Sequence, residues 1–262
     1  MVDRCWLGET NFDFRFSEAS PPNATAIEIN GNDHYVLNTV VFSSKIGLAV
    51  NGGANYVTGT HVWFPLNRAL AFDDVMAFHI TQSQNRFNGC YIDGSRAVFE
   101  GGALQDNVWT HGFECCAGSG LGDRPHGIIL KGSKVGPGLQ ITHSIFRGGS
   151  ISTEASANEA DLVISGMRIE DNFYAGGVGK ASRATKTLTQ KSATSWLFDF
   201  CDVLLWPTIA RVEILGVQAA AGFPTAVARP PSGCKVTVET SEPVTGTLTV
   251  RVDAAALSDS FL

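Results

Sequence analysis

The chain has 262 residues, of which 44% are apolar and only 17% charged, with 28 glycines and a formal net charge of −6. Few charges together with many glycines and β-branched residues favour an all-β protein over a helical or a disordered one. The acidic balance argues against a nucleic-acid backbone or an anionic membrane as the main partner. No apolar run reaches membrane-spanning length, and the opening MVDRCWLGETNFDFRF lacks the apolar core of a signal peptide.

Residues 1–24 show no helical period. Trp6, Phe12, Phe14 and Phe16 alternate as in a strand. This strand either belongs to a repeated coil or marks a chain whose earlier coils are missing, in which case a secreted or cell-surface setting remains open. Residues 25–174 carry a repeat. Ile29-Asn30-Gly31, followed by Tyr35-Val36-Leu37 and Val40-Val41-Phe42, returns 21 residues later as Val50-Asn51-Gly52, Tyr56-Val57-Thr58 and Val62-Trp63-Phe64. Each unit reads as an apolar strand, an Asn-Gly turn, an aromatic-Val strand and a third apolar strand. Looser copies follow: Ala69–Phe72 with Arg86–Asp93, Ala97–Glu100 with Val108–Glu114, Gly127–Lys131 with Leu139–Phe146, and Leu162–Glu170. A coil of this size cannot bury its apolar face alone, so about six of them must stack. The fold expected is all-β, a right-handed parallel β-helix. A β-sandwich or jelly roll would instead show hairpin turns and no shared template.

After Tyr174 the pattern lapses, and 175–195 reads as a Gly- and then Ser/Thr/Lys-rich loop or linker. From 196 to 262, strand signals at Trp196–Trp206, Ala210–Val217, Cys234–Thr240 and Thr245–Val252 suggest a C-terminal β-rich cap. The six cysteines (Cys5, Cys90, Cys115, Cys116, Cys201, Cys234) match no zinc spacing and read as small buried residues.

The repeated apolar–Asn-Gly–apolar–apolar coils resemble the pectate-lyase-like β-helix superfamily over roughly residues 25–174. The resemblance implies carbohydrate chemistry, as hydrolase, lyase or binding module. The polygalacturonase branch is expected to carry Asn-Thr-Asp, Asp-Asp, Gly-His-Gly and Arg-Ile-Lys on successive coils. Here Asn38-Thr39 is followed by Val40, Asp73-Asp74 is present, His111 follows Thr110, and no Arg-Ile-Lys occurs. These departures speak against that branch. Calcium sites of the pectate-lyase type need acidic residues on adjacent coils.

Period-two alternation along the third strands turns Cys90 and Ile92, His111 and Phe113, and His143 and Ile145 inward, and Asp93 and Glu114 outward. Asp93 and Glu114 are 21 residues apart, one coil period, and so are expected as lateral neighbours. Two adjacent carboxylates repel, which separates their pKa values and suits an acid/base pair. The same pair would serve as oxygen ligands for Ca²⁺ if the protein were a lyase. A second catalytic group, Asp73, Asp74 and His79, is expected in the turn insertion between Phe72 and Arg86. Arg96 and Lys131 are candidates to neutralise a uronate carboxylate, and Tyr91, Trp63 and Trp109 to stack on sugar rings. The bland alternatives are solvated carboxylates, a loop-capping Asp pair, core histidines and core aromatics. Three functions follow: an enzyme cleaving a polysaccharide or oligosaccharide, a non-catalytic carbohydrate-binding β-helix, or a structural module, for instance a homo-oligomer joined through a lateral face.

Overall fold

The computed structural model describes residues 1–7, 25–42, 44–63, 75–115, 127–132, 134–154, 163–164, 166–175, 179–222 and 224–254. Among these the chain forms two compact units, Met1–Met167 with Asp171–Gly179, and Arg168–Glu170 with Lys180–Leu262.

The first unit is a solenoid of three parallel sheets, and each coil contributes one strand to each. The first sheet stacks Val2–Asp3, Tyr35–Leu37, Tyr56–Thr58, Arg86–Asn88, Val108–Thr110 and Gln140–Thr142. The second stacks Trp6–Leu7, Val40–Phe42, His61–Trp63, Tyr91–Asp93, Phe113–Cys115, Ile145–Arg147 and Phe173–Ala175. The third stacks Thr25–Ile29, Ile46–Val50, Met76–Ile80, Arg96–Glu100, Gly127–Lys131 and Ser150–Glu154. Trp6 and Leu7 pair with Val40 and Val41, so these N-terminal residues are coil strands. Phe12, Phe14 and Phe16 lie outside the described residues.

Alternation sends one set of side chains from each sheet into the common interior. From the first sheet come Val36, Val57, Phe87, Trp109 and Ile141, all buried. Trp109 is only 2% exposed and packs against Phe78 and Phe87, with ring centroids 5.2 and 5.5 Å away. It is therefore a core residue and not the sugar-stacking platform expected from sequence.

Two further devices hold the coils in register. Before the first sheet, buried Asn55, Asn85 and Asn107 form a ladder. Their Oδ1 atoms accept from the backbone N–H groups of His34, Asn55 and Asn85 respectively, at 2.9, 2.9 and 2.7 Å. Each amide thereby satisfies a backbone donor that the turn leaves unpaired. Between the first and second sheets a two-residue turn recurs. Its first residue takes positive φ (Asn38 49°, Gly59 60°, Gly89 61°, His111 52°, His143 54°). Its second residue is buried in all five of these turns (Thr39, Thr60, Cys90, Gly112, Ser144). His111 and His143 thus sit in the turn with exposed side chains, which corrects their expected inward placement.

That turn also corrects the register of the second sheet. Because the residue after His111 is the buried turn position, Glu114 aligns with Ile92 and Phe146, and Asp93 aligns with Cys115. Asp93 and Glu114 are therefore not lateral neighbours. One points out and the other into the core, the consequence of a one-residue slip in a pleated strand. His79, expected in a turn insertion, lies on the third-sheet strand Met76–Ile80. Asp73 and Asp74 lie outside the described residues.

The second unit is an antiparallel sheet in the order Arg183–Asp199, Lys235–Asp253, Arg211–Ala219, with Ala226–Ala228 also paired to the long central strand. Residues 183–195 were expected as loop, yet they form most of a 17-residue strand. Their Ser, Thr and Lys side chains include a threonine row, Thr185, Thr187 and Thr189, on the exposed face, where β-branched hydroxyl residues suit a half-buried sheet. The other face buries Trp196, Phe198, Val236, Val238, Leu248, Val250 and Val252. Cys201 and Cys234 are joined in a disulfide, and Cys115 is also disulfide-bonded. For these three the reading as free apolar side chains fails, while Cys90 is free and buried.

Candidate functional site

The outward positions at the end of the third sheet's strands form one column. Strand pairing places Asn30, Asn51, Thr81, Glu100, Lys131 and Glu154 on successive coils, with neighbouring strands about 4.8 Å apart. Its first half is uncharged. Asn51 Nδ2 donates to Asn30 Oδ1 at 3.0 Å, and Thr81 Oγ1 donates to Asn51 Oδ1 at 3.1 Å. Its second half is ionic. The Glu100 carboxylate meets His79 Nε2 at 3.1 Å through Oε2 and Lys131 Nζ at 3.2 Å through Oε1. The His79 hydrogen bond, reinforced by Lys131, holds the Glu100 carboxyl below its ordinary pKa, so it stays ionised.

Two residues proposed independently from the sequence, His79 and Lys131, are thus brought together by a third, Glu100, that the sequence reading overlooked. A signal for it was present. Asn30-Gly31, Asn51-Gly52, Glu100-Gly101 and Lys131-Gly132 each follow an apolar strand, and aligning that pattern puts all four in one column. Arg96 opens the same strand that Glu100 closes, one strand-length away. A carboxylate held between an imidazole and an ammonium, half open to solvent, can bind sugar hydroxyls. The ammonium can bind an acidic sugar, and the imidazole can carry a proton.

The second sheet holds the other residues singled out from sequence. On its outer face Tyr91 stacks on His61 with ring centroids 4.2 Å apart and meets Phe113 edge-on at 4.9 Å. The Tyr91 hydroxyl lies 2.9 Å from Cys115 Sγ. Asp93 is half-buried, and burial raises its carboxyl pKa, an effect that His61 partly opposes. Glu114 is only 3% exposed. Burial pushes its carboxyl up to about 7, although the backbone N–H groups of Gly149 and Arg147 donate to it. Among the described residues its Oε1 has no hydrogen-bond partner. Glu114 is enclosed by the coil and cannot meet a polymer.

For Ca²⁺ the expected oxygen ligands were Asp93 and Glu114, and their opposite orientations do not fit a shared ion. Among the described residues, the one set of His, Cys, Asp and Glu atoms close enough to share a metal is Asp199, Cys201 and Cys234. There the two sulfurs are already bonded to each other.

No protein-family model matches the chain. Polygalacturonase QRT3 of Arabidopsis thaliana is 31% identical over 240 residues, covering 88% of this chain and 47% of the relative. The chain is similar in sequence to this polygalacturonase and in fold to the pectate-lyase-like β-helix superfamily. Three parallel sheets and a polygalacturonase relative carry that likeness together, and the relative's name runs against the sequence expectation that disfavoured its branch. The chain spans about half the length of the curated relative it matches. No helix among the described residues is long and apolar enough to cross a membrane.

Proposed function

We propose that the protein is carbohydrate-active and hydrolyses a uronate-containing polysaccharide along the outer face of the third sheet. The observation that carries the reading is the His79–Glu100–Lys131 cluster, assembled from three successive strands. Its cation supplies the partner a uronate carboxylate needs. Asp73 and Asp74 lie three and two residues before Met76, which opens the strand bearing His79. We assign to that Asp pair the general acid and base of a glycoside hydrolase. His79, Glu100 and Lys131 position the substrate. The polygalacturonase relative supports the same substrate class. Hydrolysis needs no Ca²⁺ in this scheme, so the calcium-dependent lyase reading is set aside.

The test is a screen of polygalacturonate, esterified pectin and a neutral glucan, with and without Ca²⁺, following reducing ends and unsaturated products. Reducing ends from polygalacturonate, without unsaturated products, are expected. Asp74→Asn should lower kcat by about 10²–10⁴-fold, and Lys131→Ala should raise KM more than it lowers kcat. Retained binding without turnover would favour the non-catalytic reading. Turnover indifferent to both substitutions would place the site elsewhere.

A further inference from the structure

The proposed hydrolytic site does not use the outer face of the first sheet, which carries two exposed tyrosines in register. Tyr35 pairs with Tyr56, and Tyr56 with Arg86, on three successive coils. The next residue on each strand, Val36, Val57 and Phe87, is buried in the core, so alternation turns Tyr35, Tyr56 and Arg86 outward. The two tyrosines are 45% and 46% exposed. Their rings stack with centroids 5.2 Å apart and planes 8° from parallel. Planes in contact are about 3.5 Å apart, so the rings are slid past one another by about 3.8 Å in an offset stack and cover each other only in part. Thr58 and Asn88, two positions further along the same strands, share this face. Arg86 Nη1 donates to the carbonyls of Asn85 and Asp106 at 3.2 and 2.8 Å. That tethers the guanidinium through one nitrogen and leaves Nε and Nη2 as further donors.

We propose that Tyr35, Tyr56 and Arg86 form a second binding surface for a uronate-containing polysaccharide, on a different sheet from the His79–Glu100–Lys131 cluster. The polymer class rests on the proposed hydrolytic reading, whereas the surface itself does not. A pyranose ring has an apolar C–H face that packs on an aromatic ring, and its hydroxyl rim is met by donors and acceptors such as Thr58 and Asn88. A neutral sugar needs no more than these. A uronate carboxylate also finds its opposite charge in Arg86, whose planar guanidinium matches a carboxylate. Stacking holds each tyrosine in place before the sugar arrives, so little side-chain freedom is lost on binding. A long chain anchored here raises the effective concentration of its remaining length at the hydrolytic site. A short oligosaccharide cannot span both places and gains nothing.

Retardation of the full chain in gels containing polygalacturonate or a neutral glucan tests this. The informative variant is Tyr35→Thr/Tyr56→Thr, since threonine keeps the strand propensity. Polygalacturonate should retard the wild type more than the glucan does. The double variant should bind polygalacturonate at least about fivefold more weakly, the loss of two ring contacts, with turnover of short oligogalacturonides unchanged. In the wild type, an oligogalacturonide should shift the ring signals of Tyr35 and Tyr56 in NMR spectra, a readout that needs no variant. Tyrosine-dependent retardation in a protein that cleaves none of these polymers would sink the hydrolytic reading and support this surface. Equal retardation of wild type and double variant, a glucan bound as tightly as polygalacturonate, or tyrosine-dependent self-association in place of polymer binding overturns the proposal.

Discussion

Glu114 offers the sharpest test of the coil register. Its carboxyl is buried at a position where the adjacent coils place Ile92 and Phe146, and burial raises its pKa from an ordinary 4.5 to about 7. A carboxyl whose folded pKa is raised holds its proton more tightly in the folded state. Its favourable contribution is therefore full below the unfolded value and disappears as pH rises through the folded one. The gap between 4.5 and about 7 corresponds to about 3 kcal/mol. Stability should fall by that order between about pH 4.5 and pH 8 through this group alone. Glu114→Gln keeps the shape and an acceptor for the Gly149 N–H but cannot ionise. Melting curves of wild type and variant should nearly coincide at about pH 4.5. They should separate by about 6–12 °C in favour of Glu114→Gln at about pH 8, on the usual scaling for a domain of this size. Taking the difference between the two proteins removes the contribution of His61 and Asp93, which titrate in both. A difference that stays flat between about pH 5 and 8 would refute the buried placement, because an outward carboxylate has no such dependence.

Three further outcomes follow from other contacts. A β-carbon on Gly149 would meet Glu114 Oε2 at 2.5 Å, so Gly149→Ala should destabilise by about 1–3 kcal/mol in chemical denaturation. Shortening the side chain as well, in Glu114→Asp/Gly149→Ala, should recover part of that loss. In the asparagine ladder, Asn85→Ala leaves the buried Asn55 N–H without its acceptor and should cost about 1–3 kcal/mol. Hydrogen exchange should report it as faster exchange at Asn55 before any change in the second unit. The Cys201–Cys234 disulfide closes a separation of 33 residues, and replacing both by Ser should lower the stability of the second unit by about 2–4 kcal/mol. Under a reducing agent, which also opens the Cys115 disulfide of the first unit in both proteins, the wild type should melt at the same temperature as that double variant.

The sequence by itself determined the solenoid. Alternation and the recurring Asn-Gly turn are local properties, and stacking follows once a coil is too small to bury its own apolar face. It also held the His79 and Lys131 candidates, although not the Glu100 that joins them. Register was decided only by the tertiary structure. The insertions between coils differ in length, so counting 21 residues from Asp93 lands on Glu114, while the hydrogen-bonded ladder pairs Asp93 with Cys115. A slip of one residue exchanges the two faces of a strand, and it moved Glu114 from the surface to the core and His111 and His143 from the core to the surface. The strand at Arg183–Asp199 was hidden for a related reason. Its polar residues lie on a face left exposed by the sheet, and only the partner strand, Lys235–Asp253, shows that the other face is buried.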